Sequence, residues 1–239
     1  MEVTIAAFNA HWGVGRYDGL RKVPFDVASL IKGWDADIVV VPESWRHDDG
    51  TGILDPLAGA GYFIESVQLM RMVFRRDRSG KRDAAPRAGT WELAVCSRFP
   101  VTARREITIG TIRADPVGSR RALAVSLDVD GTTVEVVGLH TSSRLHTLAP
   151  LRHLHGLKRQ LAHDGPQILA GDFNFWGPGV LMMMPGWRRA VRGRTYPAPR
   201  PHSQIDHVLV RGGIEPVSGE VLPATPSDHR PVRARVRVP

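Results

Sequence analysis

The apolar run at residues 167–170 ends in Gly171-Asp172-Phe173-Asn174, and this junction constrains the fold more than any other feature of the chain. A short apolar run bounded by a glycine is typical of a buried β-strand. In open α/β sheets, ligand sites lie beyond the carboxyl ends of the strands. The junction therefore predicts an α/β fold in which a carboxylate and an amide side chain share one rim of a sheet.

Strand patterns recur along the rest of the chain. Alternating apolar residues predict an opening strand at residues 2–8, and the run at 37–41 predicts a buried strand that ends at Glu43. Asp130-Gly131 predicts a tight hairpin. Further strands are predicted at residues 62–74, 92–97, 121–128, 133–139, 208–210 and 232–238.

Two helices are predicted from apolar residues at helical spacing. The first follows Pro24 and carries Val27, Leu30, Ile31 and Trp34. The second has Thr147 as its predicted cap and an apolar stripe made of Leu148, Leu151, Leu154, Leu157 and Leu161. The methionines at 182–184 are expected in a short buried segment, because Met fills irregular gaps in cores.

Length and composition favour one globular domain over residues 1–239. The chain is 42% hydrophobic and 23% charged, and no Ser-, Gly- or Pro-rich linker divides it. The N-terminus enters a strand pattern at once, without the pattern of a signal peptide, and no run of about 18 apolar residues is present. The single cysteine, Cys96, excludes an intramolecular disulfide and is expected in the core. A cytoplasmic protein without a membrane span is therefore expected.

The net charge of +8 and the pI near 10.5 favour an anionic partner such as nucleic acid. A competing explanation is a coding bias towards arginine, since 28 of the 32 basic residues are Arg. Two clusters are candidates for contact with phosphates. The first is a predicted loop with Arg75, Arg76, Arg78, Lys81, Arg82 and Arg87, and the second consists of Arg188, Arg189, Arg192, Arg194 and Arg200.

Six motifs in a fixed order make the chain resemble the endonuclease/exonuclease/phosphatase superfamily, the group of deoxyribonuclease I and exonuclease III. They are Phe8-Asn9, Pro42-Glu43, Leu139-His140-Thr141, Gly171-Asp172-Phe173-Asn174, Ile205-Asp206-His207-Val208 and Ser227-Asp228-His229. The resemblance covers nearly the whole chain. It implies a four-layer α/β sandwich, with two mixed β-sheets face to face and helices outside.

The resemblance also implies a divalent metal, Mg²⁺ or Mn²⁺. Glu43 is the leading candidate ligand, because a carboxylate at the end of an apolar strand is costly to bury unless it is paired or coordinated. Asn9 and Asp228 are expected to complete the protein ligands. Some nucleases of the family carry a second acid two residues after that Asn, whereas this chain has His11 there.

The resemblance assigns catalytic roles to five further residues. Asp172 is expected to orient or deprotonate the attacking water, and Asn174 to hold that water or a phosphate oxygen. His229 is expected to act as an acid/base or, when protonated, to stabilise charge on the phosphate. Asp206 would fix the orientation of an imidazole, either that of His229 or that of His140, and His140 is a candidate donor to a phosphate oxygen.

Arg120 and Arg121 are candidate contacts for the substrate phosphate, although an exposed pair at the start of a strand fits the sequence equally well. Three tryptophans close to the proposed site residues, Trp12, Trp45 and Trp176, are candidates for stacking on a base or sugar or for the core. A zinc site is not expected, because His153 and His155 do not share a helical face and no Cys accompanies them.

The sequence therefore predicts a metal-dependent phosphoesterase that cleaves a P–O bond by direct attack of water. A nuclease acting on a phosphodiester is the first choice. The alternatives are a phosphomonoesterase, a phospholipid phosphodiesterase of the inositol-phosphate or sphingomyelinase type, and a catalytically silent binding protein of the same fold. A monomer is expected from the family.

Overall fold

Two six-stranded β-sheets form the centre of the computed structural model, which describes residues 1–17, 21–73, 88–143, 148–161 and 164–239. The predicted basic loop at residues 75–87 and the predicted helix cap Thr147 lie outside the described residues. The first sheet contains β1 (Glu2–Ala7), β4 (Ile38–His47), β5 (Phe63–Val73), β6 (Ala88–Ser97), β13 (Glu215–Val221) and β14 (Val232–Arg237). The second contains β7 (Val101–Thr111), β8 (Ser119–Val129), β9 (Thr132–His140), β10 (Gln167–Asp172), β11 (Arg188–Arg189) and β12 (Asp206–Arg211).

Each sheet has one parallel pair at its centre. The first sheet runs in the order β13-β14-β1-β4-β6-β5, and the second in the order β11-β12-β10-β9-β8-β7. Strands β1 and β4 are parallel, as are β9 and β10, whereas their other neighbours are antiparallel. A small hairpin of β2 (Val14–Tyr17) and β3 (Arg21–Pro24) lies apart from both sheets. Residues at the carboxyl ends of these two parallel pairs can therefore form a site.

Buried apolar residues form three clusters, one between the sheets and one on the outer face of each sheet. Alternate strand residues such as Val40, Leu93 and Val136 form the core between the two sheets. The outer face of the second sheet packs against α2 (Ala149–Lys158) and α3 (Gly177–Met183), and the outer face of the first sheet against α1 (Val27–Gly33). Helix, sheet, sheet and helix thus form four layers, which confirms the predicted sandwich.

Strand β4 differs from its prediction at a point that matters for the site. The sequence predicts that it ends at Glu43, whereas it continues to His47. The pairing with β6 shifts between Val41 and Ser44, so that one extra residue forms a β-bulge at Pro42-Glu43. Glu43 has a φ of +53°, a left-handed conformation that is uncommon for a residue with a side chain.

Other local predictions have mixed outcomes. The hairpin at Asp130-Gly131 is confirmed, with φ values of +50° and +83° that fit a type I′ turn. Helix α2 begins at Ala149, so Leu148 lies at its N-cap and is 57% exposed instead of belonging to the buried stripe. The prediction of a buried methionine segment is wrong for Met182, which is 82% exposed on α3, and right for Met184.

Gly171 allows β10 to approach β9 closely, which gives a test of the fold. Its φ is +131°, and a Cβ there would lie 2.1 Å from the Leu139 carbonyl oxygen. We expect Gly171→Ala to lower the free energy of unfolding in urea by about 3 kcal/mol. Gly131→Ala is the matched control, because Gly131 has a φ of +83° and open space around it; its cost is about 1 kcal/mol. Equal losses in the two variants would show that the close approach has no energetic importance.

Candidate active site

One end of the sandwich gathers nearly all the polar residues predicted from the sequence. The parallel pairs β1–β4 and β9–β10 end there, β12 begins there, and the loop before β14 crosses it. A cleft of about 200 Å³ opens at this end. It is lined by Glu43, Trp91, Arg120, His140, Ser143, Asp172, Asn174, Tyr196, Ile205, Asp228 and His229.

The bulge in β4 turns Glu43 towards the cleft, where it meets Asn9. Asn9 Nδ2 donates hydrogen bonds to Glu43 Oε1 at 3.2 Å and to Asp172 Oδ2 at 3.1 Å. Asn9 Oδ1 accepts a hydrogen bond from the His11 backbone N–H at 3.0 Å. Asn9 therefore holds two carboxylates from different sheets close together.

Asp172 is the last residue of β10, and the turn after it fixes its carboxylate. Its Oδ1 accepts a hydrogen bond from the Asn174 backbone N–H at 2.8 Å, and Asn174 has a φ of +45°, which Asn tolerates well. Asn174 Nδ2 donates to the Thr141 carbonyl at 3.1 Å. These local bonds leave Asp172 Oδ2 directed towards Asn9 and the imidazoles of the cleft.

Asp206 pairs with His229, which answers the question that the sequence left open. His229 Nδ1 lies 2.9 Å from Asp206 Oδ2 and 3.1 Å from Oδ1, and His229 Nε2 lies 3.8 Å from Asp172 Oδ2. Its ring packs against Tyr196 with centroids 4.8 Å apart. The neighbouring His207 points the other way, because successive side chains of a strand alternate between its faces, and its Nε2 lies 3.0 Å from the Phe175 carbonyl oxygen.

His140 ends β9 and lies across the cleft from His229. Its Nε2 is 3.6 Å from Asp172 Oδ2 and 3.8 Å from Glu43 Oε1, and its ring packs against Trp91 at 5.4 Å. Burial, together with the nearby Arg120, lowers the pKa of His140 well below its usual value. The imidazole is therefore neutral at physiological pH and can act as a hydrogen-bond donor without adding charge.

Burial and crowding shift the pKa values of three further groups in the cleft. Burial, reinforced by Asp228, raises the pKa of Glu43 to about 8. Burial also raises the pKa of Asp172 to about 6. For His229 burial acts in the opposite sense, but the carboxylates of Asp206 and Asp172 outweigh it and raise the pKa to about 10. His229 is thus a protonated, positively charged group in the protein.

The two predicted phosphate contacts have different surroundings. Arg120 lines the cleft, and its guanidinium lies over the Trp91 ring at 5.0 Å. Arg121 does not line the cleft: its guanidinium donates to Glu106 Oε2 at 2.8 Å and to the Gln68 carbonyl. The structure therefore brings the first arginine, and not the second, to the residues with predicted catalytic roles.

Sequence reasoning missed five residues that line or support the cleft. Trp91, Ser143 and Tyr196 line it, and Asp115 accepts hydrogen bonds from the Arg120 guanidinium and from the Ser142 hydroxyl. In the sequence, Trp91 cannot be distinguished from an aromatic core residue of a strand. The other four lie in connecting segments or just after a strand, where no sequence motif marks them. Only the three-dimensional packing brings them together.

The three candidate stacking tryptophans have different environments. Trp45 is completely buried in the core, and Trp12 packs edge-on against Trp91 at 5.8 Å. Trp176, two residues after Asn174, is 55% exposed. Of the three, Trp176 has the accessible ring surface that stacking on a substrate requires.

The buried oxygens of the cleft fit a divalent cation. Glu43 Oε2 and Asp228 Oδ1 are buried and lack a hydrogen-bond partner among the described residues, and hard cations bind such carboxylate oxygens. A second group, formed by Asp172, Asp206 and His229, offers ligand atoms within 4.8 Å of one another and could also hold a metal. There, however, the imidazole is protonated and bound to Asp206, so a cation would have to displace that proton.

Other residues named in the sequence predictions lie away from the cleft. Of the second arginine cluster, Arg188 and Arg189 form β11, while Arg192, Arg194 and Arg200 are exposed. Cys96 is a buried core residue, as predicted. Within the described part of the chain, no helix is long and apolar enough to cross a membrane.

Comparisons with known proteins show which family and which solved structures the chain is similar to. The model of the Endonuclease/Exonuclease/phosphatase family matches residues 6–229. An endonuclease/exonuclease/phosphatase from Beutenbergia cavernae is 21% identical, with a TM-score of 0.75 over 99% of this chain and 72% of that one. The mannosyl-6-phosphatase of Bacteroides thetaiotaomicron is 17% identical, with a TM-score of 0.68 over 98% of this chain and 99% of that one. ANGEL2, a 2′,3′-cyclic phosphatase, is 13% identical, with a TM-score of 0.68 over 99% of this chain and 95% of that one.

These solved structures share the fold with the protein, and at such identities they show nothing more. No curated protein matches the chain. The family match is different in kind, because it spans nearly the whole sequence and includes all six motifs around the cleft. The protein therefore belongs to the Endonuclease/Exonuclease/phosphatase family.

Proposed function

We propose that the protein is a Mg²⁺- or Mn²⁺-dependent phosphoesterase that hydrolyses a phosphodiester by direct attack of water. Membership of a family of phosphoester hydrolases that typically depend on divalent metals supports this proposal. The observation that carries it is the charge balance of the cleft: buried carboxylates with unpartnered oxygens face one arginine and one protonated histidine.

The charge balance favours a cation that binds together with an anionic substrate. Glu43, Asp172 and Asp228 line the cleft, whereas Arg120 and His229 are its cationic side chains among the described residues. In the ionised state that binds a cation, these carboxylates would repel a phosphate ester unless positive charge entered with it. Burial and the nearby Asp228 carboxylate also raise the pKa of Glu43, so the cleft by itself disfavours a further negative charge.

Glu43 and Asp228 would hold the cation, with Asn9 as a further oxygen ligand. When bound, the cation would neutralise charge on the phosphoryl group and on the departing oxygen. Asn9 already bridges Glu43 and Asp172 through its amide nitrogen. Its amide oxygen, which accepts one backbone hydrogen bond, retains a second lone pair for a ligand.

Asp172 is our choice for the group that orients the attacking water and takes its proton. The pKa of about 6 makes its carboxylate a better base than an ordinary aspartate while it is still ionised near neutral pH. Asn174, whose amide plane is fixed by its bond to the Thr141 carbonyl, would help to hold the water. The water oxygen forms the new bond to phosphorus while the bond from phosphorus to the ester oxygen breaks.

Charge on the phosphoryl group would be stabilised by His229, whose imidazolium is held by Asp206. The elevated pKa favours this role over that of a general base, because the ring is already protonated. Neutral His140 would donate a further hydrogen bond to a phosphoryl oxygen. The departing alkoxide takes a proton from solvent water and leaves as the alcohol, Asp172 returns the proton of the attacking water to solvent, and no side chain forms a covalent bond to phosphorus.

A phosphodiester in nucleic acid is the preferred substrate. The net charge of +8, the exposed arginines near β11 and the exposed Trp176 all suit a polyanion with stackable bases. A phosphomonoester is the second candidate, because the structural relatives include a mannosyl-6-phosphatase.

Turnover of a substrate panel tests the proposal. The panel contains bis-p-nitrophenyl phosphate, p-nitrophenyl phosphate, plasmid DNA, single-stranded RNA, an inositol phosphate and sphingomyelin, each with Mg²⁺, Mn²⁺ or EDTA. We expect metal-dependent hydrolysis of the diesters and nucleic acids, and losses of kcat of about 100-fold or more in Asp172→Ala and His229→Ala. Activity in EDTA, or unchanged activity in both variants, would refute the proposed mechanism.

The adjacent arginines provide a matched pair of variants. Arg120 lines the cleft, whereas Arg121 pairs with Glu106. Arg120→Ala should lower kcat/KM by about 10- to 100-fold, since a charge-assisted hydrogen bond contributes about 1.5–3 kcal/mol. Arg121→Ala removes the same charge and should leave kcat/KM within about 2-fold. A comparable loss in both variants would mean that net charge, and not placement in the cleft, controls the rate.

Stability in the absence of metal should depend on the protonation of Glu43. Its pKa of about 8 in the folded protein is above the ordinary value of 4.5, so the folded state binds the extra proton and loses stability as pH rises from about 4.5 to 8. In EDTA, the Tm of wild type should fall relative to that of Glu43→Gln as the pH rises from 5 to 8.5. Excess Mg²⁺ or Mn²⁺ should raise the Tm of wild type more than that of the variant.

Glu220→Gln is the control for this measurement, because it removes an exposed carboxylate that pairs with Arg233 on the edge of the first sheet. The Tm of Glu220→Gln should equal that of wild type at every pH and with either metal. If Glu43→Gln behaves in the same way as this control, Glu43 is neither the titrating group nor a ligand of the cation.

A further inference from the structure

Asp115, in the loop between β7 and β8, forms a buried ion pair with Arg120. Arg120 Nε donates to Asp115 Oδ2 at 2.7 Å and Nη2 donates to Oδ1 at 3.1 Å, and each residue is only 4% exposed. Two parallel bonds of this kind fix the plane of a guanidinium as well as its position. The pair therefore defines where the remaining nitrogen of Arg120 points.

The Asp115 carboxylate is itself held from several sides. It accepts hydrogen bonds from the Ser142 hydroxyl and, through Oδ1, from the Val117 backbone N–H at 3.0 Å. Ser142 lies two residues beyond His140, and its backbone N–H donates to His153 Nδ1 on α2 at 3.2 Å. A chain of buried hydrogen bonds thus connects α2, the end of β9 and the loop to Arg120.

The third nitrogen of the guanidinium, Arg120 Nη1, is buried and has no hydrogen-bond partner among the described residues. The guanidinium lies over the Trp91 ring, and Arg120 lines the cleft together with His140 and Asp172. A buried N–H without a partner costs about 1–3 kcal/mol, and an arginine cannot avoid this cost by losing its proton. Such an atom is expected to have a partner when the cleft is occupied.

We propose that Asp115, supported by Ser142, is a positioning residue that holds Arg120 so that Nη1 donates to a phosphoryl oxygen of the substrate. This inference rests on the proposed phosphoesterase function. Asp115 offsets the charge of Arg120, so the arginine contributes a directed hydrogen bond more than a net positive charge. The contribution of Arg120 to phosphate binding then depends on an intact Asp115.

The competing explanation is that the ion pair only stabilises the loop at residues 112–118. The two explanations differ in what happens when Arg120 is absent. A positioning residue acts through Arg120, so its loss has no further effect on phosphate binding once the arginine is gone. A residue that only stabilises the loop has effects that do not depend on Arg120.

The experiment is a double-mutant cycle on the binding of inorganic phosphate, measured by calorimetry on the full chain with Mg²⁺. Arg120→Ala should weaken binding by about 10- to 100-fold, and Asp115→Asn by about 10-fold, from the strength of charge-assisted hydrogen bonds. The double variant should bind no more weakly than Arg120→Ala. Ser142→Ala removes one bond to Asp115 and should weaken binding by about 2- to 10-fold, with rescue by Ser142→Thr.

Controls separate binding from folding. Glu220→Gln also removes a carboxylate from an arginine, Arg233, whose Nη2 lies 2.7 Å from Glu220 Oε1, but it does so far from the cleft and should leave phosphate affinity unchanged. Thermal melting of each variant reports stability. If Asp115→Asn does not fold, Ser142→Ala and Ser142→Thr carry the test.

The outcomes distinguish the proposals. Equal losses from Asp115→Asn in the wild-type and Arg120→Ala backgrounds would overturn the positioning role, as would a lowered Tm with unchanged phosphate affinity. Wild type that binds no phosphate would also overturn it. Phosphate binding that follows the cycle, in a protein that turns over none of the panel substrates, would support the positioning role and refute the phosphoesterase function.

Discussion

The hydrogen bonds from the Asn9 amide to two carboxylates are the contact on which the site depends. Asn9 follows β1 and Glu43 lies in β4 of the first sheet, whereas Asp172 ends β10 of the second, so this amide connects the two halves of the sandwich at the cleft. Two buried carboxylates repel each other, and a shared donor makes their approach possible. Ser227 extends the arrangement, since its hydroxyl donates to the Asn9 carbonyl at 2.7 Å and accepts from the His229 backbone N–H at 3.2 Å.

Much of the fold and of the site could be predicted because it depends on local patterns. Asp172 comes directly after the apolar residues of β10 and ends that strand, so its place at a sheet edge follows from the sequence alone. The bulge at Glu43 could not be predicted, because it arises from a register shift against a strand about fifty residues away. The Asp115–Arg120 pair depends on the packing of a loop without a motif. The single-domain organisation, the monomeric state, the cytoplasmic location and the individual catalytic roles stay predictions.

The energetic cost of burying the charged groups of the cleft argues against a catalytically silent binding protein of the same fold. Glu43 combines a left-handed backbone, a largely buried side chain and a pKa raised to about 8, and each of these disfavours the folded protein when no ligand offsets it. Asp228 adds a buried oxygen without a partner among the described residues. Replacing such groups by neutral or apolar residues is often neutral or stabilising. Their presence together is therefore best explained by a ligand that needs negative charge at this point.

The substitution at position 11 limits how a cation can be held. Some nucleases of the family carry a second acid at the position of His11. In this chain, His11 donates its backbone N–H to Asn9 Oδ1, and its ring Nδ1 lies 2.6 Å from the Val14 carbonyl oxygen. His11 thus orients Asn9 and contributes no carboxylate. Under the proposed function, Glu43 and Asp228 supply the charged ligands, and Mg²⁺ commonly keeps water in the rest of its shell. A cation bound by so few protein groups would dissociate readily, so its binding should be strengthened by the substrate phosphate, which supplies the missing negative charge.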